Sequence, residues 1–171
     1  MQINTLAINY LITPFENHKI VKDDILKILD SDPGIVIDNN RDKISKCDYS
    51  AKEFTSLYVN KLIPFLMPCL TKIYEHLEHD DAILDNMWYQ QYHHNDNHNW
   101  HQHRSSSWAN VYYLELPTEC PGTILKNPAT KELIVPDVKE GDILTFPSIV
   151  WHCSPKNTSF KRKTSIAFNI K

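Results

Sequence analysis

From Ile83 onward the chain is written in short runs of β-branched and aromatic residues separated by turn-forming residues. Eight such runs can be marked, at 85–92, 100–103, 108–116, 122–126, 132–135, 142–146, 150–154 and 162–170. Strands this short, at so even a spacing, leave few architectures open, because each must bury one face against another sheet. The expected fold class is therefore mainly β, a sandwich or barrel rolled from the second half of the chain.

The first half reads differently. Ile3, Leu6, Ile8, Tyr10 and Ile12 alternate up to Pro14 and predict a short strand within residues 1–15, joining a sheet edge. Ile20, Val21, Ile25, Ile28 and Leu29 recur at helical spacing between a possible Asn17 cap and the Asp32-Pro33-Gly34 stop. A polar, irregular segment is expected through Tyr49. Ser50 and Glu53 then form a capping box opening a second helix, which Pro64 and Pro68 should kink or divide before a last turn through Leu77. The chain's 171 residues suit one domain, with 1–84 as a helical support layer bearing a short strand and 85–171 as the β core.

Composition removes several functions. Three glycines in the chain cannot build phosphate-cradling loops, which excludes P-loop and dinucleotide-binding chemistry. Cys47, Cys69, Cys120 and Cys153 form no Cys-x-x-Cys pair, which speaks against a thiolate zinc site and for reduced thiols. A net charge of −3 and the lack of a basic stripe give no nucleic-acid signature. The most apolar run, Leu62 to Leu70, is interrupted by two prolines and too short to span a membrane, and no leader pattern opens the chain; a cytoplasmic location is expected.

Histidine is the residue in excess, with nine in the chain and five of them between positions 93 and 103. His101 and His103 are two apart, so on a strand both rings leave the same face and can meet one metal ion, whereas a helix would separate them by about 200°. His152, in the strand-like run after Glu140-Gly141-Asp142, is the natural third ligand. Three ligands on one side leave coordination positions open on the other, as in non-haem iron sites. His93, His94 and His98 read instead as solvated loop residues. His94-Asn95-Asp96 is a literal His-x-Asp, but its Asn-rich surroundings favour a turn that would not hold ligands on a strand face.

Three segments together, WHQHRSSSWANVYYLEL from Trp100, then KEGDILTFPSIVWHCSPKN, then RKTSIAFN, resemble the C-terminal half of the 2-oxoglutarate and Fe(II)-dependent oxygenases. The branch they look closest to is frequent in marine bacteria and their phages. The similarity covers roughly residues 86 to 170. It implies a double-stranded β-helix (a cupin-like jelly roll) behind the N-terminal helical layer, with Fe(II) on His101, His103 and His152 and 2-oxoglutarate as cosubstrate. It further implies a hydroxylase that consumes O2, releases succinate and CO2, and acts on a small-molecule or protein side-chain substrate.

In such a protein the far carboxylate of 2-oxoglutarate needs a buried cation and hydroxyls. Lys163 and Ser165, two apart on the last strand, and Tyr113 on a neighbouring strand take these places under the resemblance; Arg162 is the alternative cation if the strand slips by one residue. Two departures stand out. Position 103 holds histidine where most of the superfamily carries Asp or Glu, which also suits a cupin-like three-histidine metal protein or dioxygenase that uses no 2-oxoglutarate. The cation is a lysine, which makes a point contact where arginine would make a fork. A β-roll whose histidines hold no metal is the non-enzymatic alternative. Trp88, Trp100, Trp108 and Trp151 read as core or rim packing, with Trp100 and Trp151 close enough to ligands to line a pocket, and Arg104 as a surface charge that could meet an acidic substrate.

Overall fold

The computed structural model describes residues 9–49, 56–78 and 82–171. Among them lie eleven strands and two helices. In chain order these are β1 (Leu11–Pro14), α1 (His18–Ser31), β2 (Ile35–Asp38), β3 (Lys43–Cys47), α2 (Leu57–His76), β4 (Leu84–Tyr92), β5 (His98–His101), β6 (Trp108–Glu115), β7 (Ile124–Lys126), β8 (Leu133–Ile134), β9 (Asp142–Pro147), β10 (Trp151–Ser154) and β11 (Lys163–Ile170). The strands form a seven-stranded sheet, ordered β1-β9-β6-β11-β4-β3-β2, and a four-stranded sheet, ordered β5-β10-β7-β8. All pairings are antiparallel, and the two sheets make a double-stranded β-helix.

The period-two alternation of the strands divides the interior into two layers. Tyr112, Ile143, Ile166 and Phe168 face the helices, where they meet Val21, Ile25 and Leu29 of α1 and Leu62, Leu66 and Leu70 of α2. Their neighbours Tyr113, Leu144 and Phe146 face the opposite way, into a core shared with Leu125 and Val150 of the smaller-sheet side. β11 is buried along its whole length between β6 and β4, so both of its faces are spoken for. Leu62 is fully buried at the helix–sheet seam. Leu62→Ala is expected to cost about 2–5 kcal/mol, read as a lowered urea midpoint with an unchanged slope.

Several local expectations change. β1 does pair with the sheet edge at β9, but it starts at Leu11, and Ile3, Leu6 and Ile8 lie outside the described residues. Asn17 occupies the N-cap position of α1 without capping it, because its amide donates across to the Phe65 carbonyl at 3.4 Å. The segment read as irregular contains the β2–β3 hairpin, closed by an Asx turn in which Asn39 Oδ1 accepts from the amides of Arg41 (2.8 Å) and Asp42 (2.9 Å). The Ser50–Glu53 capping box lies outside the described residues, and α2 is one helix through both prolines. Pro64 and Pro68, and Asn60, are all exposed, so the carbonyls of Asn60 and Pro64 that lose their amide partners are on the solvent side where water can serve them.

Candidate metal centre

β5 and β10 are paired so that His101 sits directly opposite His152. His103 lies two residues past His101, just beyond the end of β5, and its backbone amide donates to Ser148 O at 2.9 Å, which holds it beside the pair. The three imidazoles can each offer a nitrogen so that all three lie within 4.8 Å of one another. Their ring centroids are 4.2 Å (His101–His152) and 5.1 Å (His101–His103 and His103–His152) apart. His152 is buried and the other two half-buried.

The chemistry of this donor set fits a divalent metal. Burial lowers the pKa of all three rings, that of His103 to about 4, and their mutual repulsion adds to the effect for His103 and His152. At neutral pH they are uncharged lone-pair donors. His101 Nδ1 lies 2.8 Å from Asn99 O and His152 Nδ1 2.8 Å from Val150 O, so each Nδ1 carries the proton and each Nε2 is left as the ligand atom. No carboxylate belongs to the cluster among the described residues. A bound dication would keep its full charge and favour an anionic co-ligand.

The cavity at the cluster runs back between the sheets to Lys163. Lys163 is 1% exposed, and its ammonium donates to Ser154 Oγ at 2.9 Å, Pro121 O at 3.3 Å and Gly122 O. These partners are all neutral. Burial pushes its pKa down to about 8. Ser165 lies two residues along the same face and also lines the cavity. Tyr113 is fully buried there, its hydroxyl donating to Thr123 Oγ1 at 2.9 Å. Gly122 makes this packing possible, since a Cβ at that position would lie 2.4 Å from Val138 Cγ2 and 2.8 Å from Tyr113 Oη. Arg162, the alternative cation, is turned away: its guanidinium forks onto Glu115 at 2.7 and 3.2 Å and reaches Asp30 of α1 at 2.6 Å. The β11 register decides this, because adjacent residues leave opposite faces.

His94 and Asp96 are not brought together as ligands. His94 stacks on Phe160 with centroids 4.4 Å apart, Asn95 takes a left-handed φ of 69°, and Asp96 is buried as a turn acceptor for the His93 amide (2.8 Å) and Ser45 Oγ. Trp100 and Trp151 do not line the cavity; they border a separate groove of about 620 Å³ with Lys126 and Ile149. Arg104 is exposed and 3.4 Å from Gln102 Oε1.

His98 corrects the solvated-loop reading. Its ring stacks on His101 with centroids 4.0 Å apart, contacts Tyr49 Oη at 3.2 Å and Gln90 Nε2 at 3.1 Å, and burial drives its pKa down to about 3. Trp88, Gln90 and Asn169 also line the cavity, with the Trp88 ring 5.5 Å from that of His103. Alternation would have found these residues. Trp88, Gln90 and Tyr92 are spaced i, i+2, i+4 on β4, and Lys163, Ser165, Ala167 and Asn169 share one face of β11.

By sequence the chain matches no protein-family model and no curated protein. By structure it shares its fold with 2OG-Fe(II) oxygenases. A viral collagen prolyl hydroxylase from Paramecium bursaria Chlorella virus-1, solved as its 2OG complex, aligns over 94% of each chain with a TM-score of 0.68 at 15% identity. A 2OG-Fe(II) oxygenase family oxidoreductase from Burkholderia pseudomallei aligns over 95% of this chain and 85% of its own with a TM-score of 0.75 at 10% identity. The non-heme alpha-ketoglutarate-dependent epimerase SnoN of nogalamycin biosynthesis aligns over 96% of this chain and 78% of its own, with a TM-score of 0.77 at 10% identity. Among the described residues no helix is long and apolar enough to cross a membrane.

Proposed function

We propose that this protein is an Fe(II)- and 2-oxoglutarate-dependent oxygenase and, within that class, a hydroxylase. His101, His103 and His152 hold the metal, and Lys163, Ser165 and Tyr113 hold the cosubstrate. The observation that carries the reading is Lys163: a cation buried inside the roll, on the cavity that opens onto three neutral imidazoles, with no carboxylate partner among the described residues. An unpaired buried charge is costly. A dianion that reaches from the metal to Lys163 supplies the missing charge at both ends. This favours 2-oxoglutarate use over a cupin-like dioxygenase, for which a buried ammonium at the far end of the cavity has no purpose.

Bound iron would supply oxygen activation coupled to decarboxylation of the keto acid. The chain's own share is positioning. Lys163 fixes the far carboxylate by charge-assisted hydrogen bonds, with Ser165 and Tyr113 adding hydroxyls. The carbonyls of Asn99 and Val150 fix the His101 and His152 rings, and Trp88 and Phe146 close apolar walls around the cluster.

The direct test is succinate release from 2-oxoglutarate with Fe(II) and O2, together with a weak visible charge-transfer band when the keto acid is added to the iron-loaded protein without oxygen. Iron binding with neither band nor succinate overturns the reading in favour of the cupin alternative. Mass spectrometry for an added oxygen across metabolite and protein-extract panels then separates hydroxylation from other oxidations.

The lysine sets a pH dependence of known sign. The charged form binds the dianion, and its free-site pKa is lowered to about 8. Affinity for 2-oxoglutarate is therefore flat below about pH 8 and should weaken about tenfold per pH unit above it. Calorimetry with Ni(II)-loaded protein at pH 7 and pH 9.5 reads this; equal dissociation constants would remove Lys163 from the cosubstrate site.

A further inference from the structure

We propose that the side-chain amide of Asn169 is a positioning residue for the metal, fixing the tautomer of His103 by accepting its Nδ1–H so that Nε2 faces the ion. The inference rests on the three-histidine reading above and extends it to a residue outside the ligand set. His101 and His152 each have a backbone carbonyl two residues back on which to place the Nδ1 proton. His103 has no such carbonyl among the described residues; the group against its Nδ1 is the Asn169 amide, 3.4 Å away.

Asn169 is 3% exposed and lines the same cavity. Its Nδ2 donates to Asn86 Oδ1 at 2.9 Å, while its Oδ1 is buried with no partner among the described residues. A buried carbonyl oxygen left unpaired costs about 1–3 kcal/mol and calls for an explanation. A paired half-turn of the Asn169 and Asn86 amides supplies one: Asn169 Oδ1 then faces the His103 ring and accepts from Asn86 Nδ2, which gives up its contact to Asp85 Oδ2. With Nδ2 toward the ring, the favoured tautomer is the one protonated at Nε2, which cannot ligate through that nitrogen. With Oδ1 toward the ring, the proton is held at Nδ1 and Nε2 is free. Metal binding and the amide orientation therefore select each other, and the Asn169–Asn86 bond exchanges donor and acceptor between the two states.

The test uses Co(II) as the probe, with affinity read from its visible d–d bands and the ring N–H protons read as hyperfine-shifted exchangeable NMR signals. The wild type should show three slowly exchanging ring N–H signals, one for each ligand. Asn169→Val should bind Co(II) about 10–100-fold more weakly and lose one of the three. Asn169→Asp, which can only accept while ionised, should restore both. Melting of each metal-free variant checks folding. Only two slow signals in the wild type overturn the proposal without any variant being needed, and so does an Asn169→Val protein with wild-type affinity and all three signals. His103→Ala separates the layers of the argument. If it binds Co(II) like the wild type, the three-histidine reading falls and this proposal with it; if it loses Co(II) while Asn169→Val does not, this proposal alone falls.

Discussion

Lys163→Met should weaken 2-oxoglutarate binding on the order of 10²-fold or more, since truncating one side of a desolvated charge pair typically costs 2–5 kcal/mol. The same variant should be at least as stable as the wild type when metal and cosubstrate are absent. The wild-type ammonium is buried on neutral partners, two backbone carbonyls and Ser154 Oγ, and an apolar side chain of similar length removes that cost. Its lowered pKa gives the same sign: the unfolded lysine binds a proton more readily than the folded one, so folding is penalised below about pH 8 and the penalty fades as pH rises toward 10.5. Opposite movements of melting temperature and cosubstrate affinity are therefore the expected signature. Calorimetry and thermal melts of both proteins at pH 7 measure it, and a Lys163→Met protein that melts well below wild type while binding 2-oxoglutarate normally contradicts it.

His152→Ala should abolish metal binding and with it succinate production, by a factor on the order of 10³ or greater. His152 is the most buried of the three rings and faces both of the others, so its loss leaves a two-ligand set. Metal content after dialysis, measured on a variant whose metal-free melt is compared with wild type, is the readout. The depressed pKa values add a second expectation for the intact protein. Because burial keeps the rings neutral, with His103 at about 4, protons compete for the ligands only in acid. Metal should be retained through pH 6, whereas a cluster of exposed histidines with pKa near 6.5 would already be losing it. Release with a midpoint near pH 6.5 would mean that the rings are solvated and that the cluster is not the closed site described above.

The strands of the second half were legible because their alternation carries two different hydrophobic faces. In β6, Tyr112 and Tyr113 go to opposite layers, and β9 and β11 follow the same rule. The histidine cluster was legible for a related reason: two histidines at strand spacing and a third in a later strand need only antiparallel neighbours to meet, which β5 and β10 supply. What stayed hidden depended on distant partners. The β2–β3 hairpin is spelled in polar residues and exists because β3 pairs with β4 and the Asx turn at Asn39 closes it. His98 sits in an Asn-rich stretch that reads as loop, yet Tyr49 and Gln90, far away in sequence or on another strand, bury it against His101. Pro64 and Pro68 read as breaks in a helix because sequence alone does not show which carbonyls face water. Arg162 and Lys163 could be told apart only by the strand's register, since one residue of slip exchanges them.

That register has a wider consequence. β11 carries Lys163, Ser165 and Asn169 on one face, so a single strand spans the lysine end of the cavity and the histidine end. Both ends are therefore indexed by the same frame. Lengthening the loop that leads into β11 leaves their mutual spacing intact, while adding or deleting one residue between Lys163 and Asn169 puts one of the two ends out of phase with the other. The loops can change length at little cost to the cavity, but the distance from the buried ammonium to the three imidazoles is inherited as one indivisible unit.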